Sequence, residues 1–182
     1  PHGQIWATSY IPTIPAREIV SQQEHFSAHG ASLLQEYVTW ELAQHERLVT
    51  TNEDWAVVVP YWASWPFEVV VVPRRSISSI AELSDDQISS WAAILQELLR
   101  RYDGLFDVPF PYSMGIQQHP TKGERLSGVS LYQIFYPPLL RSASVRKFMV
   151  GFELSAEPQR DITPEFAAAR LRESSLGRRL ID

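Results

Sequence analysis

The sequence predicts an α+β fold, an antiparallel sheet with packed helices, and three observations carry that expectation. Short valine- and aromatic-rich segments follow one another too closely for parallel crossovers, which need a dozen or more residues. Ile88, Trp91, Ile94, Leu95, Leu98 and Leu99 recur at helical spacing behind Ser84 and Gln87, which form a capping-box pattern. The chain has 182 residues, 45% hydrophobic and 20% charged, enough for one domain with a sizeable core or for a domain plus a piece of another.

In chain order, residues 3–9 read as a strand, 12–15 as a proline-bounded loop, 18–29 as a polar helix and 33–44 as a second helix. Three strands follow, over 47–51, 55–59 and 67–72. The capped helix begins after Ser84. Residues 111–116, 131–136 and 148–153 read as further strands, and glycine, proline and charge together mark 115–130 as an exposed loop. Tyr136-Pro137-Pro138 should end its strand, because proline cannot donate to a ladder. Thr163 as N-cap, with Pro164 at the first helical position, opens a last helix through Leu171.

Charge and composition exclude several classes of function. A net charge of -5 argues against general nucleic-acid binding, which needs clustered Lys and Arg, although Arg74-Arg75 and Arg146-Lys147 are local basic spots suited to a small phosphorylated ligand. With no cysteine, the chain holds neither a disulfide nor a thiolate metal site, which is compatible with the cytoplasm. The longest apolar run, around 69–72, is far too short to span a bilayer, and no secretory signal opens the chain, so no membrane partner is expected. The chain lacks an initiator methionine and begins in what reads as mid-strand, so a fragment is expected.

The opening Pro1-His2-Gly3-Gln4 places an imidazole and a carboxamide two residues apart, hence on one face of a strand, and Gly3 lets a bulky anion approach the backbone. A histidine nucleophile attacking phosphorus wants that arrangement; the ordinary alternative is a disordered terminal residue. The other histidines have plainer readings. His25 and His29, four apart on a helix, read as a solvated face without the glutamate of a hydrolytic zinc motif. His45 reads as an exposed helix end, and Trp62 and Trp65 as core or interface rather than a base-stacking platform.

Several motifs together closely resemble the galactose-1-phosphate uridylyltransferase family. They are the opening Pro1-His2-Gly3-Gln4-Ile5-Trp6-Ala7, Ser21-Gln22-Gln23, Val59-Pro60-Tyr61-Trp62-Ala63-Ser64-Trp65-Pro66-Phe67-Glu68, Phe110-Pro111-Tyr112-Ser113-Met114-Gly115, and the run from Phe135 through Pro137-Pro138 and Arg146-Lys147-Phe148 to Glu153. These matches are collinear over almost the whole chain. The resemblance implies a pair of histidine-triad-like halves, with residues 1–30 ending the first half (nucleophile strand and following helix) and 31–182 forming the second. It further implies a homodimer and an N-terminal half that lies before Pro1. That half would supply the first metal site, with zinc as its metal, and most uridine contacts; no cofactor is expected within this chain.

The activity implied is transfer of UMP from UDP-glucose to galactose 1-phosphate. His2 matches the family's nucleophile and Gln4 its hydrogen-bond donor to a phosphoryl oxygen. Lys147, Phe148, Val150, Gly151, Phe152, Glu153 and Gln159 match hexose-phosphate contacts supplied across a subunit boundary; Phe152 departs from the family's usual tyrosine and loses one hydroxyl. A sharper departure concerns metal. Glu18 matches a carboxylate ligand of a second metal site, but the three histidines expected beside it fall on Gln117, Tyr132 and Ile134, so the expectation is that no metal binds here and that packing replaces it. His119 is displaced from the matching position and reads as solvent-exposed. Beside the enzymatic reading stands a non-catalytic paralogue or fragment acting as a sugar-phosphate-binding or dimerisation module.

Overall fold

Four consecutive valines leave a strand no polar side to show to water, so both of its faces must be covered. In the computed structural model, which describes residues 9–107, 109–110, 112–121, 123, 125–137 and 162–174, that strand is the middle of a five-stranded sheet. The strands are β1 (Leu48–Thr51), β2 (Trp55–Val58), β3 (Val69–Pro73), β4 (Ser113–Gln117) and β5 (Tyr132–Tyr136), in spatial order β1-β2-β3-β5-β4. All four pairings are antiparallel, as the short connections predicted for β1 with β2 and β2 with β3.

The two-residue period of a strand divides its side chains between two cores. Trp55, Val57, Val69, Val71 and Phe135 face one core, completed by Trp91, Ile94, Leu98 and Tyr102 of α3 (Asp85–Phe106) and by Ala167, Ala168 and Leu171 of a C-terminal helix. Ala56, Val58, Val70, Val72, Tyr132 and Ile134 face the other, covered by Leu34 and Val38 of α2 (Leu33–Gln44). A fully buried valine contributes roughly 1.5–3 kcal/mol. β4, at the sheet edge, has no such cover among the described residues, and its Met114 and Ile116 are exposed there.

Helix ends follow local chemistry. Ser84 accepts from the Gln87 backbone N–H while the Gln87 side chain accepts from the Ser84 N–H, completing the capping box. The C-terminal helix α4 (Pro164–Glu173) starts as expected, Thr163 Oγ1 accepting from the Phe166 N–H at 3.2 Å. The first helix, α1 (Thr13–His29), differs from expectation by starting at Thr13 rather than Glu18. Pro15 falls in its first turn, where backbone N–H groups have no helical acceptor, so proline there costs no hydrogen bond. His45 caps α2 in the left-handed region at φ 57° and is exposed, as its position suggested. The strand expected over 67–72 begins two residues later, because Phe67 has φ 61° and turns the chain. Of the loop expected over 115–130, the first three residues belong to β4. The strands expected over 3–9 and 148–153 lie outside the described residues, apart from Ser9, which is not in a strand.

A buried ion pair closes the edge of the fold opposite β4. Glu41 of α2 is fully buried and accepts from both the Arg47 backbone N–H and the Arg47 Nε. Arg47 Nη1 also donates to Glu165 of α4 at 2.7 Å, and its guanidinium lies 4.9 Å from the Trp40 ring and 5.4 Å from the Tyr61 ring. One side chain thus joins α2, β1, α4 and the loop after β2. Burial would lower the Arg47 pKa, but the hydrogen bonds it donates to Glu165 and Glu41 raise it above its ordinary value.

Arg47→Met should be strongly destabilising, by about 3–5 kcal/mol, because it leaves the Glu41 charge buried and unpaired; urea denaturation with unchanged midpoint would refute this. The hydrogen bond from Arg47 holds the Glu165 carboxyl below its ordinary 4.5. A depressed carboxyl contributes stability above the unfolded value and loses it as pH falls through the folded one. Thermal melts should therefore show Glu165→Gln costing stability at pH 7, with the difference from wild type shrinking as pH drops below about 4.5.

Candidate functional site

His2 and Gln4, and the expected substrate contacts Lys147, Phe148, Val150, Gly151, Phe152, Glu153 and Gln159, lie outside the described residues. The described chain supplies what flanks them in sequence. α1 begins nine residues after Gln4, and ten residues separate the end of β5 from Lys147. Between α1 and β5 lies a cavity of about 300 Å³, lined by Arg17, Glu18, Ser21 and Gln22 of α1, Leu33 and Leu34 of α2, and Trp62, Val70, Tyr132 and Ile134.

The strand register decides which of these side chains meet. Tyr132 and Ile134, two apart on β5, point to the same face, and Gln117 of β4 pairs with Tyr132 across the ladder. Glu18, Gln117 and Tyr132 share the lining of an adjoining small cavity. The structure therefore brings together all four positions singled out in the sequence as the counterpart of a metal site. Their chemistry does not fit a metal. Glu18 offers one buried carboxylate oxygen, Oε2, that has no hydrogen-bond partner among the described residues, but the others offer an amide, a phenol and a hydrocarbon. No group of three or more His, Cys, Asp or Glu suited to a metal ion occurs among the described residues.

Burial, then the charge of Glu18 and hydrogen bonding to it, raise the Tyr132 pKa above its ordinary value. Tyr136, at the end of β5, is pushed up to about 12 by burial and by the charges of Glu68 and Glu18. Both phenols stay protonated at neutral pH and can donate.

Glu68 is a buried carboxylate with a positioning role that periodicity alone does not reveal. Only 4% exposed, it accepts from the backbone N–H groups of Ser64 at 2.9 Å and Trp65 at 3.1 Å, holding the turn between β2 and β3. The Tyr102 hydroxyl donates to the Phe67 carbonyl at 2.6 Å and fixes the left-handed residue beside it. Trp65 in turn meets Tyr136 edge-on, ring centres 6.5 Å apart. The turn thereby braces the end of β5, from which Pro137 leads toward the expected sugar-phosphate segment. The sequence signal was a lone carboxylate inside an otherwise apolar run.

Several residues depart from their sequence readings. His25 is not merely a solvated helical residue: its Nε2 bonds Glu36 Oε2 of α2 at 2.5 Å, and its ring lies 4.4 Å from that of His29. His119 is partly buried and closes a loop, its Nδ1 bonding the Pro120 carbonyl and its Nε2 accepting from the Leu126 N–H, each at 2.6 Å. Of the two alternatives for Trp62, core or interface, the core is ruled out, since it is 44% exposed and lies beside Tyr37 at the cavity rim. Arg74 is a turn clamp, Nη1 donating to the carbonyls of Asn52 and Glu53, rather than a free basic spot. Among the described residues no helix is long and apolar enough to cross a membrane.

Comparison with known proteins places this geometry. The family described as galactose-1-phosphate uridyl transferase, C-terminal domain, matches residues 18–179. The chain is 51% identical over 172 residues to galactose-1-phosphate uridylyltransferase of Haemophilus influenzae, covering 94% of this chain and 49% of that protein. It is 48% identical over 175 residues to the Rattus norvegicus protein of the same name, covering 94% and 46%. A solved uridylyltransferase structure superposes with a TM-score of 0.79 at 30% identity, covering 90% of this chain and 51% of that one. The chain spans about half the length of the curated relatives it matches.

Docking of α1 rests on a close approach at Gly128, where φ is 80° and an added Cβ would fall 2.4 Å from the Phe26 Cβ. Gly128→Ala should push α1 away from the sheet, lowering Tm by several degrees and speeding amide exchange in α1 before α3. Uniform exchange rates in the two helices would contradict this.

Proposed function

The chain belongs to the galactose-1-phosphate uridylyltransferase family, and on that premise we propose that it is the C-terminal half of a UDP-glucose–hexose-1-phosphate uridylyltransferase. The observation that supports the reading most is the family match over 18–179, combined with relatives of that name that are about twice as long.

In this reading, His2 is the nucleophile. A neutral imidazole nitrogen attacks the α-phosphorus of UDP-glucose; a P–N bond forms as the P–O bond to glucose 1-phosphate breaks, and the leaving phosphate takes the electron pair. A phosphate oxygen of galactose 1-phosphate then attacks the same phosphorus, the P–N bond breaks, and UDP-galactose leaves with His2 regenerated. Gln4 donates to a phosphoryl oxygen as charge redistributes. Lys147 meets the hexose phosphate as a point charge, and Glu153 and Gln159 pair with sugar hydroxyls. Phe148, Val150, Gly151 and Phe152 complete that surface for the neighbouring subunit of a homodimer. The N-terminal half contributes the uridine contacts and, with its own ligands, the zinc site; the enzyme works in the cytoplasm. What the described residues contribute is support: Glu68, Trp65 and Tyr136 brace the strand end that precedes the sugar-phosphate segment.

Incubation of the complete protein with UDP-glucose should yield an acid-labile uridylyl adduct on the His2 peptide, detected by mass spectrometry. An intact, unmodified wild-type protein would sink the assignment. Gln4→Ala should lower kcat by roughly 10²–10³-fold, the usual cost of one preorganised donor, and Lys147→Ala should raise KM for the hexose phosphate more than for UDP-glucose.

A further inference from the structure

α1 is 17 residues long, yet its buried residues are only Ile19 and Gln22, and Ile14 and Val20 are exposed. Apolar burial alone therefore gives it little hold on the sheet, and polar fasteners must supply the rest. One is on the page: Gln22 Oε1 accepts from the Ser130 N–H at 2.9 Å, just ahead of β5. The second stands where a metal would cross-link α1 to β4 and β5 if the expected histidines were present.

We infer that in this chain Glu18 and Tyr132 form a metal-free polar latch, which joins α1 to β5 in the place of a metal ion. Three features support the exchange. Ile134 is 6% exposed and packs with Leu34, Val58 and Val70, so its position has become core. Gln117 is an edge-strand amide, a poor ligand. Tyr132 is 7% exposed and lines the same small cavity as Glu18, whose buried Oε2 has no hydrogen-bond partner among the described residues, and the nearby Glu18 carboxylate raises the Tyr132 pKa. A phenol is uncharged, so this pairing avoids the repulsion a second carboxylate would bring, and it leaves a cavity roomy and polar enough at that end for a bridging water. The inference rests on the family reading only for which positions to compare. Its test reads metal and melting, not turnover, so either can fail without the other.

The chain is equilibrated with zinc or iron(II), desalted and analysed for metal, alongside Glu18→Gln. The expected result is no bound ion that the variant loses; one ion per wild-type chain, absent from Glu18→Gln, would overturn the inference. Thermal melts of Glu18→Gln, Tyr132→Phe and the double variant, all close in shape to wild type, complete the test. Tyr132→Phe should lower Tm by roughly 3–10 °C, and the double variant should fall no further than the worse single. Strictly additive shifts would show that the two side chains do not act together and would equally overturn it.

Discussion

The constraint on which this structure depends is the burial of β3 on both faces. Val69 and Val71 need one cover and Val70 and Val72 another, so the sheet must lie between two layers. α3 and α4 supply the first and α2 the second. The tasks of the remaining elements follow: α4 must return across the chain to reach β1, which Arg47 secures through Glu41 and Glu165, and α1 must be held by something other than hydrophobic area. Burying an ion pair is a costly way to join elements, and it succeeds here because Arg47 meets the carboxylates of Glu41, Glu46 and Glu165 and two aromatic faces at once.

The two ends of the proposed chemistry are supported differently. Near the nucleophile segment, α1 is held by discrete polar contacts and by the close approach of Gly128 to Phe26. Toward the sugar-phosphate segment, the turn over 60–68 is rigid for local reasons: Glu68 satisfies two backbone donors, and Tyr102 holds a carbonyl in a left-handed turn.

Much of this was legible from local chemistry. Helical spacing and the capping box located α3, Thr163-Pro164 located the start of α4, and the valine run located the central strand, because each signal is decided by neighbours within a few residues. The family and the four altered metal positions were legible too, since collinear motifs need no coordinates. Where the reading failed, the partner was distant in sequence. His25 finds Glu36 only because α1 and α2 fold together. Pro15 concealed the first turn of α1 because proline signals a loop and a helix start equally well.

By itself, the sequence determined the α+β class, the antiparallel order of nearby strands and the family, all of which depend on local periodicity, short connections and motif content. Only the tertiary structure decided that Glu18, Gln117, Tyr132 and Ile134 share one place, that Glu68 braces Tyr136, and that Arg47 joins four elements. The physical reason is the same in each case: a buried polar group is stable only with a partner, and which partner reaches it is set by strand register and helix packing, not by spacing along the chain.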